Sequence, residues 1–260
     1  THLVTFTHEG QGIVLQHHNS LGNWQFGKYD GQGSVDWYSV HRWQKNTTSH
    51  IVAFGHESDT VIAKYHASSG KCWFGVYRSG GNVDWCKGGQ QWATDCATHL
   101  VGFTYQGKGV LLQHDAGSGA AFFGDYDGAG GVSWHGRQTW QDKGTTSLVA
   151  FDFGGDVIIC QTVNEEGIWR FGRYDGKGGV EWQHHCTWAK GFTKMLCAIP
   201  AFSMTPQQLA DRMLWQMKAE LKQDSIPTYV GASQGDPLEV LAGRLAFSKN
   251  KGDILSLHVF

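Results

Sequence analysis

The chain has 260 residues, enough for one large all-β domain or two modest ones. Its formal net charge is -2, charged residues make up only 17%, and no run of Lys or Arg appears, which excludes the electrostatic footprint of a nucleic-acid-binding protein. No apolar stretch reaches the roughly 18 residues of a membrane-spanning helix, so the sequence predicts none.

Short apolar strands open four similar segments of the chain. They are nearly continuous in apolar residues, which is typical of strands buried on both faces: Leu3–Phe6, Ile51–Phe54, Leu100–Phe103 and Leu148–Phe151. A turn separates each from a second strand: Gly12–His17, Val61–His66, Val110–His114 and Val157–Gln161.

A glycine-rich hairpin forms the second half of each segment. Large apolar residues alternate along a third strand, a turn follows, and the chain resumes at Val-x-Trp, as in a β-hairpin. The four copies are Trp24–Trp37, Cys72–Trp85, Ala121–Trp134 and Trp169–Trp182. A second tryptophan closes each segment: Trp43, Trp92, Trp140 and Trp188.

Four short strands in each repeat predict β-propeller blades, whose usual repeat is about 40–50 residues. The repeats are 2–49, 50–98, 99–146 and 147–193, and residues 194–199 begin a fifth. We therefore expect a mainly β, propeller-like ring of four blades, or of five if the partial repeat is completed. Spacing leaves one alternative open, another cyclic β-fold such as a barrel of hairpins.

Residues 200–260 depart from the repeat and predict an α+β extension. Thr205–Gln208 resembles a capping box, and apolar residues at helical spacing predict a helix over about 206–223. A second helix is expected over about 236–248 and a strand over 254–260. The strand would close the ring, or the extension is an independent segment through which the chain forms a homo-oligomer.

The cysteine and histidine patterns predict no metal and no cofactor. Six cysteines show no CxxC spacing, and the adjacent His184 and His185 would point to opposite faces of a strand. Free thiols and disulfides are both open alternatives. With Thr at position 1 and no signal peptide visible, the compartment is open between secreted and cytoplasmic.

Aspartates in the glycine-rich turn are the first candidate binding residues. Asp30, Asp127 and Asp175 each precede a glycine, whereas the second repeat has Arg78 and Ser79. The structural interpretation is turn chemistry, in which Asp accepts backbone N–H bonds. The functional interpretation is that Asp binds sugar hydroxyls, or Ca²⁺; in the sugar case the second repeat would bind weakest.

Tryptophans are the second candidates: Trp37, Trp85, Trp134 and Trp182. They fill volume between blades, or their indoles form a platform for the face of a pyranose ring. The Val-x-Trp and closing tryptophans are six residues apart in three repeats, and even separations on one strand face the same side. This parity favours exposure of one of the two sets.

Histidines near the end of the second strand are the third candidates: His17, His66 and His114. Loops at the ligand-facing end of repeat folds vary in composition, as this region does. No GxSxG or HExxH motif is present, so the sequence predicts no catalytic residues.

Repeats near 48 residues, with a W-x-F-G-x-Y-D-G stretch and a V-x-W, resemble the tachylectin- and tectonin-type β-propeller lectins over residues 2–193. The resemblance implies shallow sugar sites on or between blades, no metal requirement, and avidity from several sites. The chain departs from those lectins in its four copies and its helical extension.

We therefore expect a multivalent carbohydrate-binding protein whose partners are cell-surface or microbial glycans, with membrane association through glycans alone. One alternative is a glycan-targeted toxin or defence protein whose extension oligomerises or acts on membranes. The other is a glycan-processing enzyme.

Overall fold

A computed structural model of the chain describes residues 2–38, 40–94, 97–140 and 144–187, except for the side chain of His184. The chain divides into two units, Thr1–Pro200 and Ala201–Phe260, and all described residues lie in the first. The partial repeat at 194–199 and the predicted helices and strand of the extension lie outside the described residues.

The strands form four separate antiparallel sheets, one for each repeat. Blade 1 contains β1 (His2–His8), β2 (Gln11–His18), β3 (Asn23–Tyr29), β4 (Val35–Trp37) and β5 (His41–Arg42). Blade 2 contains β6 (His50–His56), β7 (Asp59–His66), β8 (Lys71–Arg78), β9 (Asn82–Trp85) and β10 (Gln90–Gln91), with a 3-10 turn at Ala67–Ser69. Blade 3 contains β11 (His99–Tyr105), β12 (Lys108–Asp115), β13 (Ala120–Tyr126), β14 (Val132–Trp134) and β15 (Gln138–Thr139). Blade 4 contains β16 (Ser147–Phe153), β17 (Asp156–Val163), β18 (Ile168–Tyr174) and β19 (Val180–Thr187).

Each blade is a meander of three long strands with short strands paired to the third. In blade 4 the short strands are replaced by β19, whose register with β18 shifts between Phe171 and Gly172. The prediction of a mainly β, four-bladed propeller is confirmed. The barrel alternative is wrong for the described residues, because the sheets are separate.

Two-residue turns join the first two strands of each blade. His8 pairs with Gln11, which leaves Glu9 and Gly10 as the turn, and both have positive φ, 49° and 73°. Such turns match the twist of antiparallel strands. Glu57 takes the same conformation in blade 2, with φ 54°.

A glycine in the third strand explains the Phe-Gly element of the repeat. A Cβ at Gly27 would lie 2.3 Å from Val35 Cγ1 and 2.8 Å from the Trp37 ring. The other blades repeat this arrangement at Gly75, Gly124 and Gly172. The Val-x-Trp indole therefore lies flat over the backbone of the third strand, where a side chain would displace it.

The hydrophobic core lies between blades rather than within them. Three clusters join blade 1 to 2, blade 2 to 3 and blade 3 to 4. The earlier blade contributes what we call its trailing face, in blade 1 Phe6, Ile13, Phe26 and Trp43. The later blade contributes its leading face, in blade 2 Ile51, Ile62, Tyr77 and Trp85.

A histidine at the start of the first strand adds a polar link at each of these junctions. The Nε2–H of His2, His50 and His99 donates to the backbone carbonyl of Ser49, Thr98 and Thr146, at 2.8, 3.1 and 3.2 Å. Ser147 stands at the corresponding position in blade 4.

Among the described residues, no helix is long and apolar enough to span a membrane. Four of the cysteines are described, and all four are free thiols: Cys72, Cys86, Cys160 and Cys186.

Candidate functional site

The predicted site residues lie at two opposite ends of the blades. The turn after β1 and the Asp30 turn after β3 follow strands that run in the same direction, so they share one end, here the turn end. His17 and the linker into blade 2 lie at the opposite, linker end. The predicted aspartates and histidines therefore do not form one common site.

The aspartates hold the glycine-rich turns together. In each turn Asp Oδ1 accepts the N–H two residues later at 2.7 Å and the N–H four residues later at 2.8 to 2.9 Å. These bonds lower the pKa of Asp30 and of Asp127. The structural interpretation accounts for one oxygen of each of Asp30, Asp127 and Asp175.

The glycine-rich turns also pack on the preceding blade. A Cβ at Gly178 would lie 2.5 Å from Cβ of His135, and one at Gly130 would lie 2.8 Å from Cβ of Cys86. The second repeat has the same contact between Gly81 and Tyr38. These turns are therefore part of the junctions between blades.

Three of the four candidate tryptophans lie at junctions. Trp85, Trp134 and Trp182 are half-buried, and each packs edge-on against the closing tryptophan of the preceding blade, with ring centroids 4.9 to 5.0 Å apart. Trp37 differs, because 44% of it is exposed.

The candidate histidines are not equivalent to one another. His17 and His114 are fully buried and pack on Trp43 and Trp140, at centroid distances of 5.4 and 4.9 Å. Burial lowers the pKa of each to about 4. Tyr65 holds the matching position in blade 2, and His66 lies one residue further along β7.

An open polar cleft lies at the turn end, between blades 1 and 2. Its volume is about 460 Å³. It is lined by the β1–β2 turn, the β6–β7 turn and the end of β8: Thr7, His8, Glu9, Gly55, Glu57, Ser58, Asp59, Thr60, Arg78 and Ser79. Carboxylates, a guanidinium and hydroxyls thus face one space.

Arg78 is held in place by two carboxylates of its own blade. Its Nε donates to Asp84 Oδ2 at 2.8 Å and its Nη1 to Asp59 Oδ1 at 3.2 Å. The bond to Asp84 and the charge of Asp59 raise the pKa of Arg78. A guanidinium has five N–H donors, so these two bonds leave others for a ligand.

Arg78 belongs to a strand rather than to a turn. It pairs with Asn82, so β8 extends one residue beyond the Tyr at which β3, β13 and β18 end. The Asp-to-Arg departure in the second repeat therefore reflects a different hairpin, and it adds a cation to the cleft.

At the junction of blades 1 and 2, a small residue of β6, Gly55, stands where the next junction has a bridging threonine. At the next junction, Thr104 of blade 3 bonds both the N–H and the carbonyl of Gly55, at 2.9 and 3.0 Å, and Glu57 N–H donates to Gly107 O at 2.6 Å. In blade 2 the position of Thr104 is held by Gly55, which has no hydroxyl to bridge back to blade 1.

The lining carboxylates were not among the predicted site residues. Glu9 and Glu57 both sit in the left-handed backbone region, which costs a non-glycine residue about 1 kcal/mol. Arg78 lines the cleft, but its departure from the turn aspartates predicts weaker sugar binding in the second repeat rather than a site. No group of three or more potential metal ligands occurs within residues 2–187 as described.

Comparison with known proteins supports the fold. No protein-family model and no curated protein matches the sequence. An exo-beta-1,3-galactanase from Clostridium thermocellum is 8% identical, with a TM-score of 0.50 over 71% of this chain and 47% of that chain. An exo-beta-1,3-galactanase from Phanerochaete chrysosporium, in complex with beta-1,3-galactotriose, is 10% identical, with a TM-score of 0.50 over 71% and 49%. A protein from Lactobacillus plantarum is 11% identical, with a TM-score of 0.49 over 74% and 56%.

This chain spans about half the length of each of those three proteins. At such low identity the likeness to the two galactanases shows the fold alone, a β-propeller.

Proposed function

We propose that the protein binds carbohydrate, and that its principal site is the cleft between blades 1 and 2. The observation that supports this most directly is the lining, in which Arg78, three carboxylates and several hydroxyls face about 460 Å³ of open space. That volume lies within the range of small-ligand sites, about 300–1,000 Å³.

The chemistry of the lining suits a polyhydroxylated ligand. A carboxylate accepts hydroxyl hydrogen bonds, and the guanidinium N–H groups of Arg78 donate to hydroxyl or ring oxygens. Hydrogen bonds that involve a charged group contribute about 1.5–3 kcal/mol each. The ion pairs of Arg78 hold that donor in position before the ligand arrives.

A glycan array with the full chain is the first test. Beta-1,3-linked galactans are the first probes, because two proteins that share the fold are exo-beta-1,3-galactanases. For any glycan that binds, Arg78→Gln should weaken affinity at least tenfold, or about 1.4 kcal/mol. The absence of binding to every glycan would overturn the proposal.

Arg173→Gln is the matched control. Arg173 of blade 4 also pairs with two acids, Glu181 at 2.8 Å and Asp156 at 3.7 Å, which correspond in position to Asp84 and Asp59. It does not line the cleft. Equal losses of affinity in the two variants would show that the ion pairs matter for folding rather than for binding.

We further propose that the protein recognises cell surfaces through several sites, as a lectin does. Haemagglutination tests it, since a single working site per chain does not cross-link cells unless the chain assembles. The toxin or defence alternative depends on residues 200–260. Leakage of liposomes that carry the bound glycan separates it from simple binding.

Glycan hydrolysis is the second candidate function. It is favoured by Glu9 and Glu57, two carboxyl groups that line one cleft from neighbouring blades, because most glycoside hydrolases use an Asp or Glu pair. Release of reducing sugar from a bound glycan, lost in Glu57→Gln, would support it. Binding without turnover would reject it.

A further inference from the structure

The cleft between blades 1 and 2 carries more negative than positive charge. Of the described residues that line it, three are acids, Glu9, Glu57 and Asp59. Arg78 is the one Lys or Arg among them. Its guanidinium is already paired twice, with Asp59 at 3.2 Å and with Asp84 at 2.8 Å. Arg78 therefore neutralises acids of its own blade and leaves the charges of Glu9 and Glu57 unbalanced.

Glu9 and Glu57 line the cleft from neighbouring blades. Glu9 lies in the β1–β2 turn and Glu57 in the β6–β7 turn, and both residues are exposed. Neither carboxylate makes a hydrogen bond or an ion pair with a described residue. Two like charges that share one cleft attract cations, because the low-dielectric walls of a cleft focus their field.

The other blades show that this turn does not need a carboxylate. Gln106 stands at the matching position of blade 3 and has φ 49°, the same value as Glu9. Gly154 stands there in blade 4. Of the three described junctions, the one between blades 1 and 2 therefore has an acidic turn on both sides. The junction of blades 2 and 3 has an acidic turn on one side, and the junction of blades 3 and 4 has none.

We propose that the carbohydrate bound in this cleft is an amino sugar whose amine is free and protonated. This inference rests on the proposed function, because it names the class of sugar that the same cleft takes. An ammonium group has three N–H donors and no acceptor, so it meets Glu9 and Glu57 in hydrogen bonds between two charged groups. Such bonds are roughly twice as strong as those between neutral groups.

The remaining lining suits the rest of the same ligand. The N–H groups that the ion pairs of Arg78 leave free donate to sugar hydroxyl oxygens, and Thr7 and Ser58 add hydroxyls. N-acetylation turns the ammonium into a neutral amide with one N–H donor and a carbonyl acceptor. A carbonyl oxygen gains nothing from two carboxylates, so the cleft should discriminate a free-amine sugar from its N-acetylated counterpart.

Calorimetric titration of the full chain with paired oligosaccharides tests this proposal. The probes are short oligomers of glucosamine and of galactosamine, each in free-amine and in N-acetylated form, at a slightly acidic pH where the amine is protonated. We expect a free-amine form to bind at least tenfold more tightly than its counterpart, or about 1.4 kcal/mol. This preference should shrink between about 0.1 M and about 1 M salt, where the Debye length falls from about 10 Å to about 3 Å.

Two double variants locate the preference in the cleft. Glu9→Gln combined with Glu57→Gln should bind the two forms of the sugar equally, and Gln106 shows that this turn accepts glutamine. Glu165→Gln combined with Glu166→Gln is the control. It removes the same two charges from exposed residues of the β17–β18 turn, which do not line the cleft, and should keep the preference. Far-UV circular dichroism matched to the wild type shows that both variants are folded.

Failure of this inference differs from failure of carbohydrate binding as a whole. An N-acetylated or other neutral glycan that binds as tightly as the free-amine form would overturn the amino-sugar assignment and leave carbohydrate binding in place. Equal losses in the two double variants would overturn it as well, because they would show a general attraction of cations to the chain. The absence of binding to every glycan, in either form, would overturn both proposals.

Discussion

Replacing Gly124 with alanine tests whether the Val-x-Trp indole must lie on the third strand. Gly124 is buried in β13 and pairs with Trp134 of β14. A Cβ there would lie 2.4 Å from Val132 Cγ1 and 2.7 Å from Cε3 of Trp134. Both distances are far below van der Waals contact, so a neighbouring group has to move.

The groups that would have to move are not free to do so. Val132 and Trp134 both belong to β14, and the Trp134 ring packs edge-on against Trp92 of blade 2 at 5.0 Å. Overpacking of a core costs about 1–3 kcal/mol. Because both close contacts are with groups that are held in place, we expect Gly124→Ala to lower the free energy of unfolding by about 3 kcal/mol.

Urea denaturation followed by circular dichroism measures this loss. Gly136→Ala is the control, because a Cβ there would meet nothing within 4 Å and the backbone does not have positive φ. That change should alter stability by less than about 0.5 kcal/mol. If Gly124→Ala were as stable as Gly136→Ala, the close packing of the indole on the strand would be refuted.

Three further predictions concern tryptophan, histidine and cysteine side chains. Trp134→Ala should lower the free energy of unfolding by about 3 kcal/mol in urea titrations, and Trp37→Ala by clearly less, because Trp134 packs at a junction whereas 44% of Trp37 is exposed. The pKa of His17 and of His114 is lowered to about 4, so the unfolded chain binds more protons than the folded one below about pH 6.5. Stability should therefore fall as the pH drops from about 6.5 towards 4, and urea midpoints should depend less on pH in the double His→Gln variant. Burial raises the pKa of Cys160 to about 12, so mass mapping should find its alkylation much slower in the native chain than in urea.

The blades could be predicted because their signals are local. Alternating apolar residues, glycine turns and a near-constant period depend on neighbours in sequence, and the sheets begin at His2, His50, His99 and Ser147 as the repeats do. The contacts between blades are not local in this sense. The even spacing of the tryptophans predicts that one set is exposed if both lie on one strand. However, β4 ends at Trp37 and a separate strand, β5, follows, so Trp37 and Trp43 do not share a strand.

The candidate site could not be predicted for a similar reason. At the junction that holds the cleft, Gly55 stands where blade 3 has Thr104, and β8 extends to Arg78. Each difference is visible in the sequence, yet its effect depends on which loops meet across a junction. His66 is a further example. Grouping it with His17 and His114 by residue type overlooks that Tyr65, one residue earlier, holds the buried position in blade 2.

The second repeat separates the two interpretations of sugar binding in a single experiment. If the turn aspartates bind sugar, restoring the turn with Arg78→Asp and Ser79→Gly should add a site and strengthen binding. If the cleft binds sugar, the same change removes its guanidinium and leaves the carboxylates of Asp59 and Asp84 without their shared partner, so affinity should fall at least tenfold, about 1.4 kcal/mol. Calorimetric titration with one bound glycan, in wild type and variant, gives opposite signs for the two interpretations. A rise in affinity would show that the glycine-rich turns bind the sugar, and a fall would show that the cleft between blades 1 and 2 binds it.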